Sequence, residues 1–132
     1  MLAELRAAGH RLAVLTNCDE DLFERTHRTF RAPFDLVVTA EQVRDYKPSL
    51  THFRYFSRSS GAGNGEWVHV ACSWYHDIAP ARELGIKRIW LDRDDTGEDR
   101  AAASAHVGSA SHVCETVVAL HATASEDSAS SR

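Results

Sequence analysis

The polar residues best placed for chemistry stand where apolar runs end. Thr16 and Asn17 directly follow Leu12-Ala13-Val14-Leu15. A hydroxyl and a carboxamide would therefore sit at the end of a buried strand, beside the first-turn N–H groups of a following helix that can receive an anion. A plain strand-to-helix turn, capped by Asn17 or Asp19, is the simpler use of the same residues. Lys47 precedes Pro48, which fixes the local backbone and helps aim the ammonium. Such a lysine neutralises a carboxylate nucleophile or a phosphate, although a solvated surface lysine has the same signature. The third station, Cys72-Ser73-Trp74-Tyr75-His76-Asp77, lies between a strand pattern and a helix pattern. Asp77 there either caps the helix, where the dipole favours a carboxylate, or positions Lys47 or a water. Ser73 offers a hydroxyl to a substrate.

Other chemistries fit poorly. Cys72 follows Ala71 directly and reads as a buried or half-buried thiol. A covalent Cys-His mechanism would need His76 or His69 to approach it, and continued strand alternation would put His69 on the opposite face. The eight histidines form neither HxxxH nor HExxH, so no metal site is expected from them. Cys18, Cys72 and Cys114 are odd in number and form no CxxC, which suits a reducing, cytoplasmic setting rather than a disulfide framework. Trp67, Trp74 and Trp90 read as packing residues rather than a stacking platform. Fifteen basic against nineteen acidic residues give a formal charge of -4, with no general pull on nucleic acid or anionic lipid. No apolar run reaches the length of a membrane span, and the start at Met1 has no secretory h-region.

The elements that must position these residues alternate. Met1 to Ala8 is a short helix stopped by Gly9, and Leu12 to Leu15 is a strand buried on both faces. Leu22, Phe23, Thr26 and Phe30 recur at helical spacing. Asp35 to Thr39 is a second strand, followed by a helical turn over Glu41 to Tyr46. Pro48 suits the first turn of a helix seated by Phe53 and Phe56, while Ser57 to Gly65 has turn and linker composition. Trp67 to Ala71 is a third strand, Ile78 to Leu84 a helix ended by Gly85, and Lys87 to Leu91 a fourth strand. The cluster Asp92 to Asp95 belongs on the surface. Val113 to Leu120 is a last strand or helix, and 123–132 is a flexible tail. This alternation implies βαβ units in a mostly parallel sheet, whose ligands bind beyond the C-terminal strand ends. Thr16 and Cys72 fall at such ends.

Taken together, these segments resemble the haloacid dehalogenase-like (HAD) hydrolase superfamily, closest to its type II haloacid dehalogenase-like members. LAVLTN, ending in Thr16 and Asn17, is similar to the second motif. Tyr46-Lys47-Pro48 is similar to the third, and Val68 to Arg93 to the fourth with the strand after it. The resemblance covers roughly residues 1–122 and implies a three-layer, Rossmann-like α/β core with a mostly parallel sheet, here a partial one. It also implies a two-step reaction in which an Asp on the first strand attacks carbon or phosphorus and water hydrolyses the covalent intermediate. Thr16 would then bind the anionic group, with Asn17 and Ser73 as substrate-binding helpers. Lys47 would neutralise the nucleophile, and Asp77 would hold Lys47 or the water.

This chain departs from the family pattern at two places. Family phosphatases carry a DxxxD pair for Mg²⁺ in the fourth motif, but here the positions hold Ser73 and Asp77. That favours a cofactor-free dehalogenase, with Asp77 left to hold Mg²⁺ under the phosphatase alternative. Dehalogenases, however, usually carry Asn where Trp74 stands. Only eleven residues precede Leu12, so the first, nucleophile-bearing strand and the cap domain are expected to be missing. The chain alone would then be inactive. Strands left without their shared neighbour would favour a homo-oligomer or another partner, which makes a non-catalytic, partner-binding remnant the third reading. In the enzymatic readings the ligand is a small anionic molecule, not nucleic acid or membrane.

Overall fold

The computed structural model describes residues 1–18, 34–92 and 100–120. Helix α1 spans Leu2–Ala7 with Leu5 buried. Gly9 takes a φ of 90° just beyond it, a conformation that glycine adopts without the strain a side chain would add. Strand β1, Ala13–Thr16, pairs in parallel with β2, Leu36–Thr39, so that Leu15 faces Val38 and Thr16 faces Thr39. Helix α2, Ala40–Val43, starts on a capping box between Thr39 and Gln42. Helix α3, Thr51–Ser60, buries His52, Phe53 and Phe56. Strand β3, Val68–Ala71, leads into a π-helical turn, Trp74–Ile78, that continues as α4, Ala79–Glu83. Strand β4, Lys87–Leu91, pairs in parallel with β3 on one side and with β5, Ala105–Val107, on the other. Helix α5, over residues 113–120, follows.

Every strand pair is parallel, and strand alternation divides the core into two layers. Leu5, Leu12, Ile89, Val113 and Val117, with Val68 and Val70 against them, fill the layer under α1 and α5. Leu15, Val38, Phe53, Phe56, Ala81 and Ile86 fill the layer under α3 and α4. This is the Rossmann-like α/β arrangement, with helices on both faces. Hydrogen bonding splits the strands into two sheets, β1-β2 and β3-β4-β5. Among the described residues, no strand pairs with the edge of β1 away from β2 or the edge of β3 away from β4.

Ile89 sits on the central strand of the larger sheet and is fully buried. Ile89→Ala leaves a cavity that rigid neighbours on three elements cannot fill, and should cost about 2–5 kcal/mol of unfolding free energy. Urea unfolding measures this directly, and a loss below about 1 kcal/mol would mean the layer under α1 and α5 is not packed as described.

Several local expectations need correction. The linker-like stretch from Ser57 is helical through Ser60 and stops at Gly61, φ 75°. Burial of Phe53 and Phe56 outweighs the weak helix propensity of the serines. Pro48 is not in a helix's first turn, because α3 begins at Thr51 and the Lys47–Pro48 peptide is cis. The helical turn after β2 ends early, at Val43, where Arg44 turns left-handed. Leu15 is buried, but Ala13, two residues after exposed Arg11, is exposed, so β1 is not covered along its whole length. Asp92, expected on the surface, is only 6% exposed. Its N–H bonds the Val107 carbonyl, which keeps it in the sheet, and its carboxylate meets His106 Nε2 at 3.2 Å. β5 lay unnoticed in an Ala- and Ser-rich stretch too short to show a period. The pattern at Leu22 to Phe30, the charges at 93–95 and the tail at 123–132 lie outside the described residues.

Candidate active site

The buried centre of the site is an ion pair. Lys47, in the loop between α2 and α3, directs its Nζ to the Leu15 carbonyl at 2.9 Å and to Asp77 Oδ1 at 2.6 Å. The two side chains are 9% and 8% exposed, so the pair is largely shielded from water and salt. Lys47 thereby links the end of β1 to the turn after β3. Asp77 also receives His69 Nε2 at 2.8 Å on the same Oδ1. Burial pushes the Asp77 carboxyl up, but the His69 hydrogen bond and the charges of His69 and Lys47 outweigh it. The net shift is below the ordinary carboxylate value.

The backbone around Lys47 is held as firmly as its ammonium. Asn17 Oδ1 accepts from the Lys47 N–H at 2.8 Å, and Asn17 Nδ2 donates to the Lys47 carbonyl at 3.2 Å. Both ends of the Asn17 carboxamide therefore bond the loop itself. Asp45 ties the loop from within. Its carboxylate accepts from the Thr51 hydroxyl at 2.6 Å, the Ser49 hydroxyl at 2.7 Å and the Tyr46 N–H at 2.8 Å. Those bonds, led by Thr51 and Ser49, lower its pKa to about 2.

Thr16 and Ser73 stand at the ends of β1 and β3, outside the ion pair. Thr16 Oγ1 accepts from the Cys18 N–H at 3.1 Å, which leaves its own hydrogen available to an anion. The Thr16 carbonyl is met at 2.9 Å by Nε2 of His52, a fully buried ring whose Nδ1 has no partner. Burial holds that imidazole below its usual pKa, and because a carbonyl oxygen only accepts, Nε2 is the donor. Ser73, not Asp77, caps the π-helical turn. Its hydroxyl accepts from the His76 N–H at 3.2 Å and lies 2.9 Å from His76 Nδ1. This corrects the capping use of Asp77, which sits inside a turn closed by an i→i+5 bond from Ile78 N–H to the Ser73 carbonyl. Single π turns of this kind often mark functional sites.

His52 is a member of this centre that sequence reasoning did not single out, and His69 was weighed only as a partner for Cys72, not for Asp77. The available signal was a histidine inside an otherwise apolar strand, and another just before Phe53 and Phe56 on a helix. Cys72 is exposed rather than buried, His69 is committed to Asp77, and the His76 ring meets the Ser73 hydroxyl. The three tryptophans pack. Trp67 lies 4.3 Å from Phe56 by ring centroids, Trp90 is 1% exposed, and Trp74 sits against Ile78 and Trp90.

The described residues do not by themselves fit Mg²⁺. Among the described residues, no group of three or more His, Cys, Asp or Glu could hold a metal ion. Asp77 offers one carboxylate, already engaged at Oδ1 by an ammonium and an imidazole, whereas a hard divalent ion wants several oxygens.

The haloacid dehalogenase-like hydrolase family model matches residues 1–91. Glyceraldehyde 3-phosphate phosphatase of Methanocaldococcus jannaschii is 37% identical over 87 residues, which are 64% of this chain and 38% of that protein. Phosphoserine phosphatase of Thermus thermophilus is 32% identical over 104 residues, 77% of this chain and 42% of that one. The chain thus spans about two-fifths of the curated relatives it matches. Among solved structures, an L-2-haloacid dehalogenase superposes with a TM-score of 0.80 at 21% identity, covering 88% of this chain and 52% of that one. A HAD phosphatase from Thermococcus onnurineus gives 0.77 at 23%, covering 88% and 54%. These two likenesses are in fold.

Proposed function

Because the chain belongs to the haloacid dehalogenase-like hydrolase family, we propose that it supplies the anion-binding and charge-neutralising half of a hydrolytic site for small anionic substrates, of the 2-haloacid dehalogenase type. The observation that carries this reading is the buried Lys47–Asp77 pair between the ends of β1 and β3, where a parallel sheet presents its ligand crevice. In the proposed reaction an Asp carboxylate oxygen attacks the halogen-bearing carbon, halide leaves with the bonding pair, and water hydrolyses the resulting ester. Lys47 neutralises the attacking carboxylate, Thr16 donates to the substrate's own carboxylate, and Asn17 with Asp77 keeps the ammonium in place. Ser73, just past the C-terminal end of β3, is the second substrate-binding hydroxyl. The attacking Asp would come from outside these 132 residues, on a strand proposed to lie against the edge of β1 away from β2 and the edge of β3 away from β4. The chain alone is therefore expected to be inactive.

A phosphatase is the second reading, favoured by the two relatives with phosphatase names and weakened by the poor fit to Mg²⁺. The test compares the chain alone with the chain joined to an upstream strand bearing Asp, on 2-chloropropionate and on a phosphomonoester. Metal-independent chloride release by the completed chain only is the expected result. Phosphate release that strictly requires Mg²⁺ would replace the first reading by the second. Turnover of neither substrate would remove both.

The three thiols are free, which suits the proposed reducing, cytoplasmic setting. Among the described residues, no helix is long and apolar enough to cross a membrane.

A further inference from the structure

We infer that His69 is a positioning residue: from β3 it fixes the Asp77 carboxylate, and through it the direction of the Lys47 ammonium. The other residues of β3 are Val68, Val70 and Ala71, so a histidine here must satisfy a polar ring within an apolar layer. Its ring lies edge-on to Phe53 at 5.1 Å and 81°, and to Trp67 at 5.9 Å and 72°. The side chain is 11% exposed. Those two rings set the plane of the imidazole and point Nε2 at Asp77 Oδ1, 2.8 Å away. An ionised carboxylate accepts only, so Nε2 must carry the hydrogen.

The consequence for Lys47 is geometric. Asp77 Oδ1 is held from two directions, by Lys47 from the 45–51 loop and by His69 from the sheet. With Lys47 as its only side-chain donor, Asp77 could rotate together with the lysine. With both, the oxygen has one position, and a flexible four-carbon lysine is fixed at its tip by that oxygen and by the Leu15 carbonyl. Two of the three ammonium hydrogens are thereby assigned, which sets where the third points. The competing account is packing alone, in which His69 fills space beside Phe53 and Trp67.

The inference rests on the reading of Lys47 and Asp77 as parts of the hydrolytic site, but its test reads the pair's geometry without turnover. In the full 132-residue chain, long-range proton–nitrogen NMR should find His69 Nε2 protonated. The tautomer protonated only at Nδ1 would overturn the inference without any mutation. The Lys47 ammonium should also give a slowly exchanging signal. His69→Phe keeps a ring and removes the donor, and should speed that exchange about tenfold, the size of effect expected from losing one hydrogen bond to a charged group. His69→Gln, which restores an N–H near the Nε2 position, should recover most of it. Unchanged exchange in folded His69→Phe, or no recovery in His69→Gln, would assign His69 to packing. If His69→Phe does not fold, the wild-type tautomer and His69→Gln decide.

Discussion

Replacing Asp77 with alanine should lower the unfolding free energy by about 3–5 kcal/mol, far more than an average substitution, because it strands a buried ammonium without its counter-charge. Lys47 is 9% exposed and makes its second bond to a backbone carbonyl, which cannot replace a negative charge. The double replacement Lys47→Met with Asp77→Leu should recover part of that loss, since apolar side chains of similar volume remove both charges together, while the His69 Nε2 donor loses its acceptor. Urea unfolding of Lys47→Met, Asp77→Leu and the variant with both closes the cycle. A loss from Asp77→Ala below about 1 kcal/mol would mean that water reaches the pair.

The same pair sets an acid limit. The folded Asp77 carboxyl lies below its ordinary value of 3.8 despite the opposing effect of burial, through the His69 hydrogen bond and the charges of His69 and Lys47. A depressed carboxylate stabilises the fold fully above the unfolded value. That contribution fades as pH falls from near 4 toward the lower folded value. The double apolar variant should therefore lose less stability than wild type between neutral pH and pH ~3. Equal acid losses in the two proteins would remove Asp77 from the account.

In the completed hydrolase, Lys47→Ala should reduce kcat by about 10²–10³, the usual cost of deleting one preorganised electrostatic group from a water-poor site. Lys47→Arg should not restore it. The guanidinium fork is wider than an ammonium and cannot meet both the Leu15 carbonyl and Asp77 Oδ1 in the same space. KM should move less than kcat, because the cation is proposed to act on the attacking carboxylate more than on the bound substrate. A kcat within about fivefold of wild type in Lys47→Ala would leave the ion pair a purely structural role.

Much of this site can be read from the chain because the sheet class fixes where polar residues gather. Leu12 to Leu15 announces a strand, and the abrupt change at Thr16 and Asn17 marks its ligand-facing end. Lys47 and Asp77 become partners in sequence only through the family resemblance, since no periodicity links residues thirty positions apart. His69 and His52 stayed hidden for the same reason: each bonds a group that no local pattern points to, Asp77 Oδ1 and the Thr16 carbonyl. Asp92 was misplaced because a charge cluster reads as surface, whereas its backbone still belongs to the sheet. The extension of α3 to Ser60 depends on what Phe56 packs against, which composition does not record. The π turn needs an i→i+5 bond that propensity scales do not describe.

The knot at Asp45 bears on the order in which the protein assembles. Thr51, its most distant side-chain partner, is six residues away, whereas Lys47 meets Asp77 across thirty. Short loops close quickly and at little entropic cost, while long ones wait for the strands they join. The segment 45–51 therefore gains its inner bonds at little entropic cost, whereas the grip of Asn17 and Asp77 on the lysine needs β1 and β3 in place as well.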